Sequence, residues 1–537
     1  MNIFLVGVIV SIIIYMVVGV YVGRSVKNVN DYYVSGRNAP TILIAGTLFA
    51  SMLSVNGFMG DQGWCYSGNI TSLVLLNAMC ACGYVFGPLC FGRYLRRSEC
   101  TTMPEYFGMR YKDPRIRRVA GVITIISLMA YLLASITGVG ILMQELTGFS
   151  YHTCLFLAWA CFTMFTFYSG SKGVVLTDTL MFIIFLFGAI LAGPIIFKAQ
   201  GGLPELLTNL MNNPEIPEGL LDFHGNIAGT GANDVFGAVM YAVTMGIIWF
   251  ITVAVSPWQA GRNLMAKSEH VTFRSGVIAA ICTVVFLLFL NLQSVAVLNL
   301  NAGLEDSQRV LIWASYNVLP KIVGTLLLSG IMAAGLSSAS TFLSVIGFSL
   351  TSDIVQKEYK NEKQQLRTSR IVMLLVGVVS LILAYMGLGG IRIISWFAST
   401  IIAASWAVPG IGSILSKKMS RTGARWSMIA GFLGFIITKC MVGFGIGEAA
   451  SVFVNFLDPF FIGLFLSFLF AVLGSKLYPV SNEETEYRKN LMVLPESEKV
   501  ASDYKRDRCY AYILIIVGIL TTCFLLFGWA LPYNGIV

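Results

Sequence analysis

Charge is what this sequence has least of. Only 12% of its 537 residues are Asp, Glu, Lys or Arg, about half of the roughly 25% usual in soluble domains. A soluble chain of this length divides into several domains, each needing a polar coat, and the charge for those coats is missing. With 56% hydrophobic residues, the bilayer is the expected solvent. Histidine is nearly absent. His152, His224 and His270 fall at loops or span ends, with no H-E-x-x-H and no Ser/His/Asp grouping, which argues against a membrane-integral enzyme. The cysteines show no metal-ligand spacing, and Cys80, Cys82, Cys154, Cys161, Cys282, Cys440 and Cys523 lie in apolar runs as small hydrophobes. The net charge of +9 raises nucleic acid as a partner, but the basic residues are scattered over short loops instead of gathered on one face. The expected partners are a small solute and the lipid bilayer. No nucleic acid, organic cofactor or obligate protein partner is indicated.

What the chain does have is a succession of apolar runs near the ~20 residues that a spanning helix needs. Fourteen are read, at about 2–23, 40–66, 71–92, 119–147, 152–170, 174–198, 235–258, 273–300, 320–352, 370–388, 391–415, 427–446, 451–475 and 509–531. The expected fold is all-α and polytopic, in the inner (plasma) membrane. The first run is too long for a signal peptide and ends in Arg24 without a cleavage site, so it reads as a retained helix. The run from Val372 to Leu415 is divided by Gly387, Gly389, Gly390 and Arg392. Alternating sides place all but five of the 36 Lys and Arg on one face of the membrane. The exceptions are Lys198, Arg309, Lys321, Arg392 and Lys439. Excess basic charge marks the cytoplasmic side, which puts both termini outside. Residues 477–508 are polar and of mixed charge, a cytoplasmic linker without a core of its own. The basic loop at 93–118 carries enough charge to touch anionic lipid.

Ion and solute sites within membranes sit where helices are interrupted near the midplane. Ser54-Val55-Asn56-Gly57 gathers weak helix formers inside the second span. In the seventh, Ser256-Pro257 follows a long apolar run, and proline removes a backbone donor and clashes with the preceding turn. Each alone reads rather as a tolerated kink. The two lie five spans apart, at the first helix of two consecutive five-helix blocks, and an odd number of spans inverts the second block.

In the ninth span, Ala334, Ser337, Ser338 and Thr341 recur at i, i+3, i+4 and i+7 and share one helical face, with Ser340 beside it. Hydroxyls in hydrocarbon need partners. Those partners are either the preceding turn and a neighbouring helix, or a hard monovalent cation, which takes neutral oxygens. Asp178 is an acidic group within a span, by default functional, although a helix N-terminus also accepts an anion; proton coupling through Asp178 is a further possibility. Arg392 and Lys439 are expected to snorkel to the outer interface.

Several motifs, in order, resemble the sodium:solute symporter family, whose members carry sugars, proline, pantothenate and sialic acid. They are Asp31-Tyr-Tyr-Val-Ser-Gly-Arg37, Thr102-Met-Pro-Glu-Tyr-Phe107 with Arg110-Tyr111, Gly173-Val-Val-Leu-Thr-Asp178 with Gly201-Gly202, Gln259 with Arg262-Asn-Leu-Met-Ala-Lys-Ser268, and Ala333-Ala-Gly-Leu-Ser-Ser338. The resemblance implies a five-plus-five inverted-repeat core like that of the bacterial leucine transporter, built from the second to eleventh spans. Residues 1–37 would then be an extra helix and loop, 38–198 the first repeat, 199–426 the second, and 427–537 three peripheral helices with the 477–508 linker. It further implies a sodium ion held by the carbonyls of Ala50, Leu53 and Ala334 and the hydroxyls of Ser337 and Ser338. A second sodium, present in some members, would use Asp178, Ser337, Ser340 and Thr341. The substrate pocket does not carry over: the arginine that binds a carboxylated sugar in some members has no counterpart within 119–147. Lining candidates are Ser54, Asn56, Gly57, Asn77, Trp249, Thr252, Ser256 and Trp258, each equally readable as core packing. The expected activity is sodium-coupled uptake of a small organic anion or amino-acid-like solute by alternating access. A proton-coupled carrier and a solute sensor on the same fold are the alternatives, although no long soluble signalling domain follows.

Overall fold

Within hydrocarbon every backbone N–H and C=O must find its partner inside its own segment, and apolar runs of this length achieve that by coiling. The computed structural model describes residues 2–356, 361–387, 389–445, 458–533 and 535. No strand occurs among the described residues; an isolated bridge joins Ala39 to Ala266. The helices used below are α1 (Ile3–Gly23), α2 (Thr41–Val55), α3 (Ile70–Gly87), α4 (Pro114–Thr147), α5 (Tyr151–Ala199), α6 (Val235–Val255) and α7 (Glu269–Leu300). They continue with α8 (Lys321–Phe348), α9 (Glu362–Tyr385), α10 (Ile391–Leu415), α11 (Arg421–Gly443), α12 (Pro459–Leu477), α13 (Asn482–Met492) and α14 (Ala501–Leu525).

Among the described residues, 12 helical stretches are long and apolar enough to cross a membrane, and Tyr151–Met164 is a shorter apolar one. The sequence led us to expect fourteen. Two of those expected spans lie in one stretch of 58 residues, Thr41–Ser98, in which Gly68 turns the chain at φ 94°. Two more, 152–170 and 174–198, are halves of the 49-residue α5, joined through a non-helical Gly170 (φ 56°, ψ −158°). Glycine is required there twice over: the backbone is left-handed, and a Cβ would run into the ring and carbonyl of Tyr32. Lys357, Lys360, Leu388, residue 446 and the start of the span read from 451 lie outside the described residues.

The loops that the sequence put on one side meet at one end of the bundle. Arg97 pairs with Glu269 at 2.6 Å, Arg425 with Asp113 at 2.7 Å, and Lys172 with Asp31 at 3.7 Å. Arg37 bonds the Glu99 carbonyl, tying the first loop to the second. The segment read as a coreless linker is docked here. Its helix α13 opens with a capping box between Ser481 and Glu484. Glu484 is fully buried, facing Arg421 at 3.4 Å. Further on, Asp503 and Asp507 hold Arg274, each at 2.7 Å. Mixed charge, which read as solvation, serves to clasp the basic loops.

Candidate cation and substrate site

Both sequence interruptions are real breaks. α2 winds to Val55 but holds Ser54 at φ 48°, ψ −176°, a left-handed value that an L-residue adopts only at a cost of about 1–3 kcal/mol. The Ser54 hydroxyl accepts from the Asn56 N–H at 3.1 Å. Asn56 Nδ2 donates to Asp61 at 3.1 Å, and the Gly57 carbonyl accepts from Gln62 at 3.0 Å. α6 stops at Val255 because Ser256 turns extended (ψ 153°) ahead of Pro257; a short turn, Ala260–Met265, follows.

The chain leading into that turn packs on α2 and α3, and the turn itself on α5 and α8. The Gln259 amide lies 3.3 Å from Ser51 Oγ and 3.1 Å from the Tyr84 hydroxyl, against the last turn of α2 before Ser54. Three residues on, the Arg262 guanidinium reaches Asp178 Oδ2 at 3.4 Å and donates to Thr341 Oγ1. Both ends of the Arg262–Asp178 pair are buried, at 4% and 0% side-chain exposure. Thr47 of α2 donates to the same Asp178 oxygen at 2.6 Å, while Oδ1 makes no close hydrogen bond among the described residues. Asp178 stands two turns beyond Gly170 in the interior of α5, so the helix-N-terminus reading of its charge does not hold.

Along α8 the hydroxyls divide into two groups. Ser340 donates back to the Ser337 carbonyl at 2.8 Å and Thr341 accepts from Arg262, so their needs are met within the protein. Ser337 and Ser338 are fully buried and neither hydroxyl makes a close hydrogen bond among the described residues, although Ser337 lies towards Asp178. Leaving a hydroxyl buried and unpaired costs about 1–3 kcal/mol, and here two stand side by side. Close approach of α8 to the broken α2 is built into Gly335, where a Cβ would collide with Val55 and Val139. Ala50 and Leu53 on α2 and Ala334 on α8 are buried, and the two helices pack against each other. The Leu53 carbonyl accepts from Asn56 N–H across the break, and a carbonyl has a second lone pair to offer.

Most substrate candidates gather close by. Ser54, Asn56, Gly57, Trp249, Thr252, Ser256 and Trp258 are all buried. Tyr131 of α4 stands among them, its ring 5.4 Å from Trp258, 6.4 Å from Trp249 and 4.6 Å from Phe342. Thr252 donates to the Ser399 carbonyl at 3.2 Å. Asn77 stands apart, on a lateral cavity of about 640 Å³ between α3, α7 and α14. Lys439 is exposed near the end of α11, as snorkelling requires. Arg392 does not snorkel. Its guanidinium lies 3.8 Å over the Trp64 ring and 3.8 Å from Asp61, with its side chain 18% exposed, because the aromatic face and the carboxylate give the charge an inward place to rest.

This arrangement has clear relatives. The sodium:solute symporter family model matches residues 32–431. The chain belongs to the sodium:solute symporter family. The Escherichia coli sodium/proline symporter is 23% identical over 460 residues, covering 82% of this chain and 88% of that protein. The Haemophilus influenzae sodium/pantothenate symporter is 24% identical over 461 residues, covering 80% and 90%. Among solved structures, a substrate-bound, outward-open sodium-coupled sialic acid symporter superposes with a TM-score of 0.72 at 18% identity, covering 90% of this chain and 99% of that one. A nucleobase-cation-symport-1 family transporter in a closed conformation gives 0.53 at 13% identity, covering 86% and 98%. This symporter is therefore a multi-pass membrane carrier that couples solute uptake to sodium. Sequence reasoning missed Thr47 and Tyr131, which carry no local signal, and placed Gln259 and Arg262 only within a motif; their contacts lie across the fold.

Proposed function

We propose that one sodium ion binds between the interrupted α2 and the hydroxyl face of α8, held by the carbonyls of Ala50, Leu53 and Ala334 and by Ser337 and Ser338. The observation that carries this is the buried Ser338 hydroxyl, without a partner among the described residues, beside that of Ser337, set where Gly335 lets α8 close on the break. Three residues of the second sodium site already have partners: Asp178 Oδ2 and Thr341 meet Arg262, and Ser340 donates to the Ser337 carbonyl. The guanidinium supplies the positive charge there, which favours a single coupling ion. One sodium ion offers about 2.3 kcal/mol per 100 mV and about 1.4 kcal/mol per tenfold gradient. That suffices to concentrate a neutral solute a few hundredfold.

The substrate in this reading is small and amino-acid-like, bound among Ser54, Asn56, Gly57, Trp249, Thr252, Ser256 and Trp258. Support comes from the outer edge of the break, where Asn56 is bonded to Asp61 and Asp61 faces Arg392. An acidic and a basic group side by side, ringed by Trp64, Trp396 and Tyr241, complement the two ends of a zwitterion. Fourteen crossings follow if Thr41–Ser98 crosses twice about Gly68 and α5 twice about Gly170. At about 1.5 Å per residue, the 49 residues of α5 exceed twice the ~30 Å hydrocarbon thickness. Residues 38–198 and 199–426 then form the two inverted repeats, 1–37 and 427–537 are peripheral, and the clasped basic loops are cytoplasmic, with both termini outside.

The test is uptake into membrane vesicles of amino acids, pantothenate, sialic acid and simple carboxylates, with sodium exchanged for potassium at fixed pH. Sodium-dependent accumulation of an amino-acid-like solute is expected. Uptake that follows a proton gradient and ignores sodium would overturn the proposal.

A further inference from the structure

A cavity of about 1220 Å³ opens sideways between α6, α10 and α12, away from the candidate cation site. Its walls are apolar, among them Ile251, Ala407, Ile411, Leu464 and Phe468. Lys417, Lys418 and Lys476 also line it, and they lie at the end of the bundle where the basic loops converge. All three are exposed, and none forms an ion pair among the described residues. Other cationic groups at this end, such as Arg97, Arg274 and Arg425, are matched to carboxylates. Between Leu464 and Lys476, α12 rises roughly 18 Å at 1.5 Å per residue. That is close to one leaflet of a ~30 Å hydrocarbon core. The lateral cavity between α3, α7 and α14 is also apolar, but no Lys or Arg lines it.

We propose that the first cavity is a binding site for an anionic glycerophospholipid of the cytoplasmic leaflet. Its acyl chains fill the space beside Ile251, Ala407 and Phe468, and its phosphate sits at Lys417, Lys418 and Lys476. Depth of one leaflet, an apolar wall and three unpaired cations at the mouth match the two parts of such a lipid, whereas a bulk lipid contact needs no charge. Basic pockets between membrane helices on the cytoplasmic side are suited to anionic headgroups.

The test is native mass spectrometry of the purified, delipidated symporter after incubation with phosphatidylglycerol or phosphatidylcholine. The wild type should retain phosphatidylglycerol strongly over phosphatidylcholine. The Lys417→Gln/Lys418→Gln/Lys476→Gln variant should lose that preference, by a factor on the order of a hundred if each lysine contributes as basic residues at an anionic surface do. Val472→Trp, which fills the cavity and leaves the lysines in place, should weaken phosphatidylglycerol retention as well. An unchanged melting temperature of each variant in detergent shows that folding is intact. Equal retention of the two lipids by the wild type would overturn the proposal, as would full retention by the triple variant. Displacement of phosphatidylglycerol by glycerol 3-phosphate alone would show an anion site without a lipid cavity and would also overturn it.

Discussion

Replacing Ser338 by alanine separates a cation ligand from a packing residue. Its hydroxyl is fully buried and has no partner among the described residues, so no hydrogen bond seen there is lost when it is removed. An unpaired buried hydroxyl carries a desolvation cost of about 1–3 kcal/mol, and alanine is the better helix former. In potassium, Ser338→Ala should therefore melt at the wild-type temperature or above. In sodium the sign reverses. A hydrogen-bond-like interaction with a charged partner is worth about 1.5–3 kcal/mol, which converts to a rise of roughly ten- to a hundredfold in the sodium concentration for half-maximal uptake. Substrate affinity at saturating sodium should barely change. The assay is sodium-dependent uptake in vesicles, paired with thermal melting in sodium and in potassium. A variant that melts several degrees lower in potassium yet keeps its sodium dependence would refute the reasoning, because the hydroxyl would then be paying for structure and not for the ion.

Four further outcomes follow from the same geometry. Ser340→Ala should leave sodium dependence unchanged, since that hydroxyl is committed to the Ser337 carbonyl; an upward shift in half-saturating sodium would restore the second-ion reading. Arg262→Ala should destabilise the fold by about 3–5 kcal/mol, because it strands the buried Asp178 charge; thermal melting without sodium measures this, and a neutral result would mean the pair is not formed. Arg392→Gln should raise the substrate concentration for half-maximal uptake and spare sodium affinity, since Arg392 faces Asp61 and Trp64 and touches nothing in the cation site. Gly335→Leu should abolish sodium-driven uptake by wedging α8 from Val55, read as lost transport with the protein still present in the membrane.

The parts of the site that were legible in the sequence are those that a local rule fixes. Ser54-Val55-Asn56-Gly57 and Ser256-Pro257 announce breaks because weak helix formers and proline act on their own turn. The face of Ala334, Ser337, Ser338 and Thr341 follows from helical periodicity alone. The division of labour among those hydroxyls was not legible: that Thr341 is taken by Arg262 while Ser338 is left free depends on a turn nearly eighty residues earlier in the chain. Arg392 misled for the same reason. At the end of an apolar run, solvent is the default partner of a guanidinium, and only the fold brings Trp64 and Asp61 beneath it. The α5 kink hid in a different way. Hydropathy sees a gap near 170–174, whereas the backbone stays helical on either side of one left-handed glycine.

The most direct measurement is equilibrium binding of radioactive sodium to the purified symporter, wild type against the Ser337→Ala/Ser338→Ala double variant, with Asp178 and Arg262 left intact. One ion bound per wild-type chain, and none at the same concentration in the double variant, is the result this account predicts. Two ions per chain, or a double variant that binds sodium as the wild type does, would contradict it.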